Sequence, residues 1–515
     1  PALFIITPAP DEPLLHAVER ALQPGSGAHL TLPLLAPLFT DVVRGDSFLQ
    51  QQLATLHQHF ELHPPPARGV LARLRTRLAW WLLGAEMQQI NTTHAAVVRM
   101  LDSLIMHLDQ ERAARRRLTE HLATAMMQPA SSTDVPALHA DVASTAPASH
   151  VTPSAPCHGA LVWHSSFASP TGYSGSSRAL VLGLDARGAV VRPLFLYGAD
   201  HDEHVLMGQL HPRIQQLQAL PLRLDVPQVI YAPGDRFSKN SGRYRIGFTM
   251  QEVDRLPLAW VEQANQMDEV WTPTHWGREV FRASGVSRPI YTIPLGVDTE
   301  RFAPAPPRTR LQEYTIFLSI FEWSERKGWD VLLRAYRAAF RPGAAVLLLL
   351  KIDCREPALN PLGELANLLP PPAPPVGVIY NQTLTAAQLV QLYQAADCFV
   401  LPTHGEGWGM PVLEAMACGV PAIATAWSGI TTFLTEANGY PLPIRGMVPA
   451  SGTNPYHRGA RWAAPDEAAL GDLLRHVANH AAERQRKGQQ AAHDAQQWRW
   501  ERSVDAICER LTHIA

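Results

Sequence analysis

With 515 residues and 46% apolar composition, the chain is long enough for about three domains with large cores. Its formal charge of −2, from 44 basic and 46 acidic side chains, argues against a general nucleic-acid partner. Cys157, Cys354, Cys398, Cys418 and Cys508 show no paired spacing, which predicts free thiols in a reducing cytoplasm; no signal-peptide pattern and no uninterrupted apolar run of membrane length is seen.

Residues 1–127 read as a mainly helical N-terminal region, with little to distinguish it before Pro64-Pro65-Pro66. Residues 71–83 mix Arg73, Arg75 and Arg77 with Trp80, Trp81 and several leucines. That mixture fits peripheral contact with an anionic membrane interface, and fits equally a packed helix whose arginines reach back to solvent. From Trp80 through Leu83, Met87, Ile90, His94, Val97, Leu101, Leu104 and Leu108 to Leu118 and Leu122, apolar steps of three and four give a heptad seam over 80–122. The seam suits a coiled coil joining two copies of the chain, or one long amphipathic helix folded onto another part of it. Residues 128–157 are a linker rich in proline, alanine and serine.

Residues 158–303 read as a first α/β domain. Ala160-Leu161-Val162-Trp163 is a strand, Ser169 to Arg178 a glycine-rich turn, and a helix is predicted from Ala179. Strand, turn and helix in this order let Gly172 and Gly175 approach a phosphate or sugar, although a plain flexible turn has the same composition. The turn is not a P-loop, a dinucleotide fingerprint or a nucleophile elbow. A second strand, Arg245 to Thr249, leads into Met250-Gln251-Glu252-Val253-Asp254, where Thr249 and Glu252 are candidates for the acceptor side. His275, after the strand Glu269–Thr272, reads as structural, and His201-Asp202-Glu203-His204 as an exposed charged loop without metal-ligand spacing.

Residues 304–480 form a second α/β domain, and its most informative stretch runs from Ala396 to Thr425. The apolar run from Ala396 to Leu401 suits a buried parallel strand. Gly405, Gly407 and Gly409 let a loop approach a ligand, Pro411 suits the first position of a helix, and Gly419 and Pro421 end that helix before the strand Ala422–Thr425. A βαβ unit of this kind binds ligands at the carboxyl edge of its sheet, and its helix start favours phosphate oxygens. Glu406 in the loop and Glu414 in the first turn of the helix fit a polyhydroxylated, phosphorylated ligand. A glycosidase pair would place its acid and base on opposite sides of a bond, and a helix cap with a surface ion pair leaves the three glycines unaccounted for.

The sequence here resembles the retaining glycosyltransferases of the GT-B fold, family 4. The resemblance lies in two glutamates separated by seven residues, Glu406 and Glu414, within Gly-Glu-Gly-Trp-Gly-Met-Pro…Glu-Ala-Met-Ala-Cys-Gly-Val-Pro. It extends to Arg326-Lys327-Gly328-Trp329-Asp330, Gln388 to Asp397, Thr425 to Gly429, and Ile293 to Asp298 with Phe302, covering roughly 158–515 and none of the first 150 residues.

What the resemblance implies is an α/β protein with two Rossmann-like domains facing across a cleft, an acceptor domain (158–303) and a donor domain (304–480). Helices in 481–515 would cross back to the acceptor domain through Trp498, Trp500, Val504, Ile507 and Leu511. Glu406 would hold the transferred sugar, with the backbone N–H groups of Trp408, Gly409 and Met410 facing sugar or phosphates, and Glu414 would accept from the ribose. Lys327 would neutralise the departing diphosphate. The family's arginine five residues earlier is replaced by Glu322, which makes Arg326 the candidate second cation. The expected chemistry is hexose transfer from a nucleoside-diphosphate sugar to a glycan or lipid-linked glycan, with no metal or other cofactor, in bacterial surface-polysaccharide assembly and at most peripherally at the inner face of the cytoplasmic membrane. A silent relative acting as a nucleotide-sugar sensor or scaffold is the alternative, and a glycan phosphorylase shares the architecture.

Overall fold

The computed structural model describes residues 3–9, 12–23, 157, 159–169, 171–196, 210–306, 311–354, 356, 359–451 and 454–514. The coiled-coil seam over 80–122, the arginine-rich segment 71–83, the linker up to Pro156 and the His201–His204 loop lie outside the described residues.

The chain's first described element is a strand, β1 (Leu3–Ile5), followed by a helix, Leu14–Leu22. A parallel sheet of six strands comes next in sequence. Its members are β2 (Ala160–Ser165), β3 (Val190–Phe195), β4 (Pro227–Tyr231), β5 (Tyr244–Phe248), β6 (Glu269–Thr272) and β7 (Ile290–Thr292), in the order β3-β2-β4-β5-β6-β7. β2 is buried from Leu161 onward, and in its core Trp163 makes T-shaped contacts with Tyr231 and Phe248, whose own rings lie tilted together at 4.4 Å.

The second sheet holds β8 (Thr315–Glu322), β9 (Val346–Asp353), β10 (Val376–Tyr380), β11 (Cys398–Leu401), β12 (Ala422–Thr425) and β13 (Tyr440–Leu442). Its order is β1-β10-β9-β8-β11-β12-β13, all parallel. β11 is buried on both faces, which is why Cys398-Phe399-Val400-Leu401 reads as an unbroken apolar run.

β1 corrects the sequence reading of residues 1–127. Leu3, Phe4 and Ile5 pair in register with Val376, Gly377 and Val378, so the chain's first strand is the edge of the second sheet. Phe4, Ile6, Leu14, Ala17 and Val18 are fully buried in its core. A three-residue strand carries too little periodicity to announce itself, and its partner lies more than 370 residues away in sequence.

The C-terminal helices divide their work differently from the expectation. Helix Ala481–Ala495 packs on the helix Met410–Ala417 of the second sheet, with Gly488 close against the Gly419 carbonyl. Only helix Trp500–Thr512 reaches the first sheet. Val504 sits over Gly183, and Arg510 Nη2 donates to the buried Glu269 Oε2 at 2.6 Å. Beside that pair, Cys157 and Cys508 are joined as a disulfide across 351 residues. This overturns the reading of five unpaired thiols and removes its argument for a reducing compartment. Spacing along the chain is blind to a cross-link made by a returning terminal helix. Cys354, Cys398 and Cys418 are free.

Between β13 and helix Glu467–Asn479 the chain forms an antiparallel hairpin, β14 (Ile444–Pro449) and β15 (Arg461–Pro465). No described helix is long and apolar enough to cross a membrane.

Candidate active site

Lys327 is placed by a tight local design. β8 ends at Glu322, a short 3-10 turn covers Glu325–Lys327, and helix Trp329–Ala339 follows immediately. Gly328 between them has φ 64°, and a Cβ there would collide with the Pro402 carbonyl, so the junction requires glycine twice over. Trp323 stacks on Trp329 at 4.0 Å and closes the turn from outside. Glu322, where the family arginine would stand, is exposed at the strand's end and paired in register with Asp353.

The loop after β11 folds onto this turn. His404 N donates to the Arg326 carbonyl at 2.7 Å, and Glu406 N donates to Ser428 Oγ at 2.9 Å. Glu406, 6% exposed, thereby points its carboxylate at the turn. Lys327 Nζ donates to its Oε1 at 2.7 Å, Arg326 Nη1 lies 3.1 Å from the same oxygen, and Thr403 Oγ1 also lies at 3.1 Å. Burial alone would push the Glu406 carboxyl up, but Lys327 and Arg326 outweigh it and hold it below the ordinary carboxylate range. Lys327 is drawn down by burial, with Glu406 opposing. The structure thus brings Arg326, Lys327 and Glu406 into one cluster.

Helix Met410–Ala417 starts one residue earlier than the sequence reading, with Gly409 as its N-cap and Pro411 at the second position. Glu414 therefore sits in the second turn, not the first, and stays partly exposed. Tyr393 OH donates to its Oε2 at 2.6 Å. Burial raises the Glu414 carboxyl to about 7, against this hydrogen bond and the charge of Arg301. Met410 opens the helix, so its N–H has no intrahelical partner and remains available to an anion. The Trp408 indole is buried against Trp498 and Phe433, which leaves only its backbone for ligand.

Across from this loop stands the start of helix Gly172–Ala186. It begins at Gly172 and not at Ala179, because Thr171 caps it by accepting from Ser174 N. Gly172 and Gly175 are thus first-turn residues, not a flexible turn. Ser176 Oγ approaches Met410 Sδ at 3.7 Å, and space beyond Gly175 is open.

The acceptor-side candidates separate. Thr249 is buried, its hydroxyl 3.1 Å from Tyr173 OH. Glu252 instead meets the donor side. Its backbone carbonyl lies where a Cβ on Gly405 would be, its Oε1 is 3.6 Å from Arg326 Nη2, and its Oε2 is 3.5 Å from His457 Nε2. His275 is exposed at the start of helix His275–Ala283.

Residues 312–448 match the family model described as Glycosyl transferases group 1. These residues contain the turn at Lys327, the Glu406 loop and the Glu414 helix. Residues 312–448 are thus similar to the group 1 glycosyltransferases, and the chain has the GT-B fold. A GDP-mannose-dependent alpha-(1-6)-phosphatidylinositol monomannoside mannosyltransferase of Mycolicibacterium smegmatis is 31% identical over 223 residues, covering 40% of this chain and 56% of its own length. A D-inositol 3-phosphate glycosyltransferase of Geodermatophilus obscurus is 25% identical over 335 residues, covering 62% of this chain and 67% of its own. The chain thus spans between about half and two thirds of the length of these two curated relatives. In fold, Anabaena HepE, crystallised with UDP and glucose, superposes with a TM-score of 0.52 over 69% of this chain and 100% of its own at 14% identity.

Two parts of the site's surroundings escaped the sequence reading. Tyr393 lies within the segment Gln388 to Asp397, but its contact with Glu414, 21 residues away, is made only in three dimensions. His457 gave no signal at all, since it arrives on the β14–β15 hairpin.

Proposed function

We propose that the protein transfers a hexose, with retention of anomeric configuration, from a nucleoside-diphosphate sugar to a hydroxyl of a lipid-linked glycan. One observation carries this reading: two cations, Arg326 and Lys327, converge on Glu406 beside the open start of helix Met410–Ala417. A diphosphate seated there exchanges the Glu406 carboxylate for its own oxygens and adds the helix N–H groups to its ligands.

In this reading Glu406, released from the cations, accepts hydrogen bonds from the sugar hydroxyls, and Glu414 accepts from the ribose. As the bond between sugar C1 and the phosphate oxygen breaks, charge builds on the diphosphate, where Lys327 and Arg326 stabilise it. The acceptor oxygen forms its bond to C1 from the same face, and its proton passes to the departing phosphate oxygen. No group of the protein forms a covalent bond, so catalysis is positioning plus charge stabilisation. The proposal needs no metal or other cofactor.

A lipid-linked acceptor is supported by the mycobacterial relative, whose name gives it a phosphatidylinositol mannoside substrate. We place the reaction on the cytoplasmic side of a bacterial membrane, in surface-glycan assembly, where Cys157 and Cys508 would stand as a dithiol. Residues 71–83 would supply the membrane contact and residues 80–122 the self-association.

The test is a panel of UDP-, GDP-, ADP- and dTDP-sugars read by thermal stabilisation and nucleotide release, because a ligand of the folded state raises its apparent stability. One nucleotide that stabilises and is slowly released as diphosphate supports the transferase. Stabilisation without release, even with lipid-linked acceptors, supports a silent nucleotide-sugar sensor instead.

A further inference from the structure

The β14–β15 hairpin leaves the donor sheet and lies on the acceptor domain. Asp254 N donates to the Arg461 carbonyl at 3.0 Å and Arg461 N donates to Asp254 Oδ1 at 2.7 Å. Tyr456 packs on Trp260 and its hydroxyl donates to Asp235 Oδ2 at 3.2 Å, while Val253, Ala460 and Trp462 share a small core. These contacts bury His457 to 3% exposure, with an Nε2 that makes no hydrogen bond and faces Glu252 Oε2 at 3.5 Å. An unsatisfied buried imidazole nitrogen is costly, so a native fold keeps one only for a reason.

Glu252 is shared between two partners and committed to neither. Its other oxygen faces Arg326 Nη2 at 3.6 Å, and Arg326 Nη1 is engaged with Glu406 at 3.1 Å. Burial pushes the Glu252 carboxyl up, and the Arg326 guanidinium pulls it down, below the ordinary carboxylate range, so the ionised group needs a counter-ion throughout.

We propose that Glu252 is a positioning residue that changes partner when the donor arrives: the diphosphate takes Arg326, and Glu252 turns onto His457, which takes up a proton from solvent and becomes its counter-ion. The inference rests on the reading of the cleft as a diphosphate site. The exchange fixes the 249–254 loop against the hairpin, so the acceptor side is completed only after donor binding. Glu252 is the charged group in contact with His457; Arg326 reaches it through Glu252, Glu406 and Lys327 through Arg326, Asp254 and Arg461 bond each other across the loop and hairpin, and Arg458 follows His457 in sequence. His404 stacks on Trp462 at 4.8 Å, and His457 meets that ring at 5.8 Å. Of these groups, Arg326 and Lys327 are the ones a diphosphate neutralises, and both changes favour a positive imidazole.

The experiment is calorimetric titration of the full chain with inorganic diphosphate, which has no ribose to engage Glu414, in buffers of different ionisation enthalpy at a pH slightly above neutral. Wild type is expected to take up more protons per bound diphosphate than His457→Gln, and Glu252→Gln to lose the same increment. Protonation of the ligand itself cancels in these differences, and melting of each variant without ligand verifies its folding. Equal uptake by wild type and both variants overturns the exchange while leaving the diphosphate site intact. If wild type binds neither inorganic diphosphate nor any nucleoside diphosphate, both the exchange and the functional reading fall.

Discussion

At the scale of single residues, Lys327 and Glu414 make opposite demands on their surroundings. Lys327 is mostly buried and spends its charge on Glu406, an arrangement that adds little net stability because desolvation offsets the attraction. In the proposed reaction its value is in the transition state. Lys327→Ala is expected to lower kcat by about 10²–10³-fold, the range seen when one preorganised charge donor is removed. Arg326 still pairs with Glu406 in that variant, so melting should change little while steady-state turnover collapses. Glu414 is the titrating partner. With its carboxyl raised to about 7 from an ordinary 4.5, the folded state holds a proton that the unfolded chain has released. This residue therefore costs stability progressively as pH rises from 4.5 to about 7, and the cost is complete above that. Ribose hydroxyls donate best to the ionised form, so nucleoside-diphosphate affinity should rise with pH up to about 7 and level off, by at most about tenfold per pH unit. Calorimetry across that range checks it. Glu414→Gln should flatten this component of the profile, and an unchanged slope in the variant would place the titrating group elsewhere.

At the scale of elements, the sequence was most legible where structure is local. The strand, loop and helix from Cys398 to Ala417 could be read because an apolar run, glycines and a proline each act on their own neighbours. The start of helix Gly172–Ala186 was legible too, through Thr171 and Ser174, but the glycines drew the reading toward a turn. What could not be read was pairing at a distance. β1 forms the edge of the second sheet although its partner strand is more than 370 residues away, and the β14–β15 hairpin brings His457 to Glu252 from another part of the chain. β1 gives a sharp prediction. Phe4 is fully buried beside Gly377, so Phe4→Ala should destabilise the protein by about 3–5 kcal/mol, as a core phenylalanine does. Chemical denaturation measures this. A change below about 1 kcal/mol would mean that the N-terminal strand is an appendage to the sheet.

At the scale of the whole molecule, the sites belong to two sheets tied together at several points. Helix Trp500–Thr512 is fixed to the first sheet by Arg510–Glu269, Val297 N donates to the Trp498 carbonyl at 2.8 Å, and the hairpin grips the 249–254 loop. Trp498 in turn packs on Trp408, inside the loop that carries Glu406, which links the crossing between the two sheets to the residues that would hold the sugar in the proposed reaction. None of these ties follows from motif spacing, because each joins segments folded separately. The measurement that bears most directly on the account is a crystal structure with the nucleoside diphosphate that stabilises the protein best. The account predicts the diphosphate on Lys327, Arg326 and the start of helix Met410–Ala417, the ribose on Glu414, and the Glu406 carboxylate freed from Lys327. A nucleotide bound elsewhere, with the Lys327–Glu406 pair intact, would contradict it.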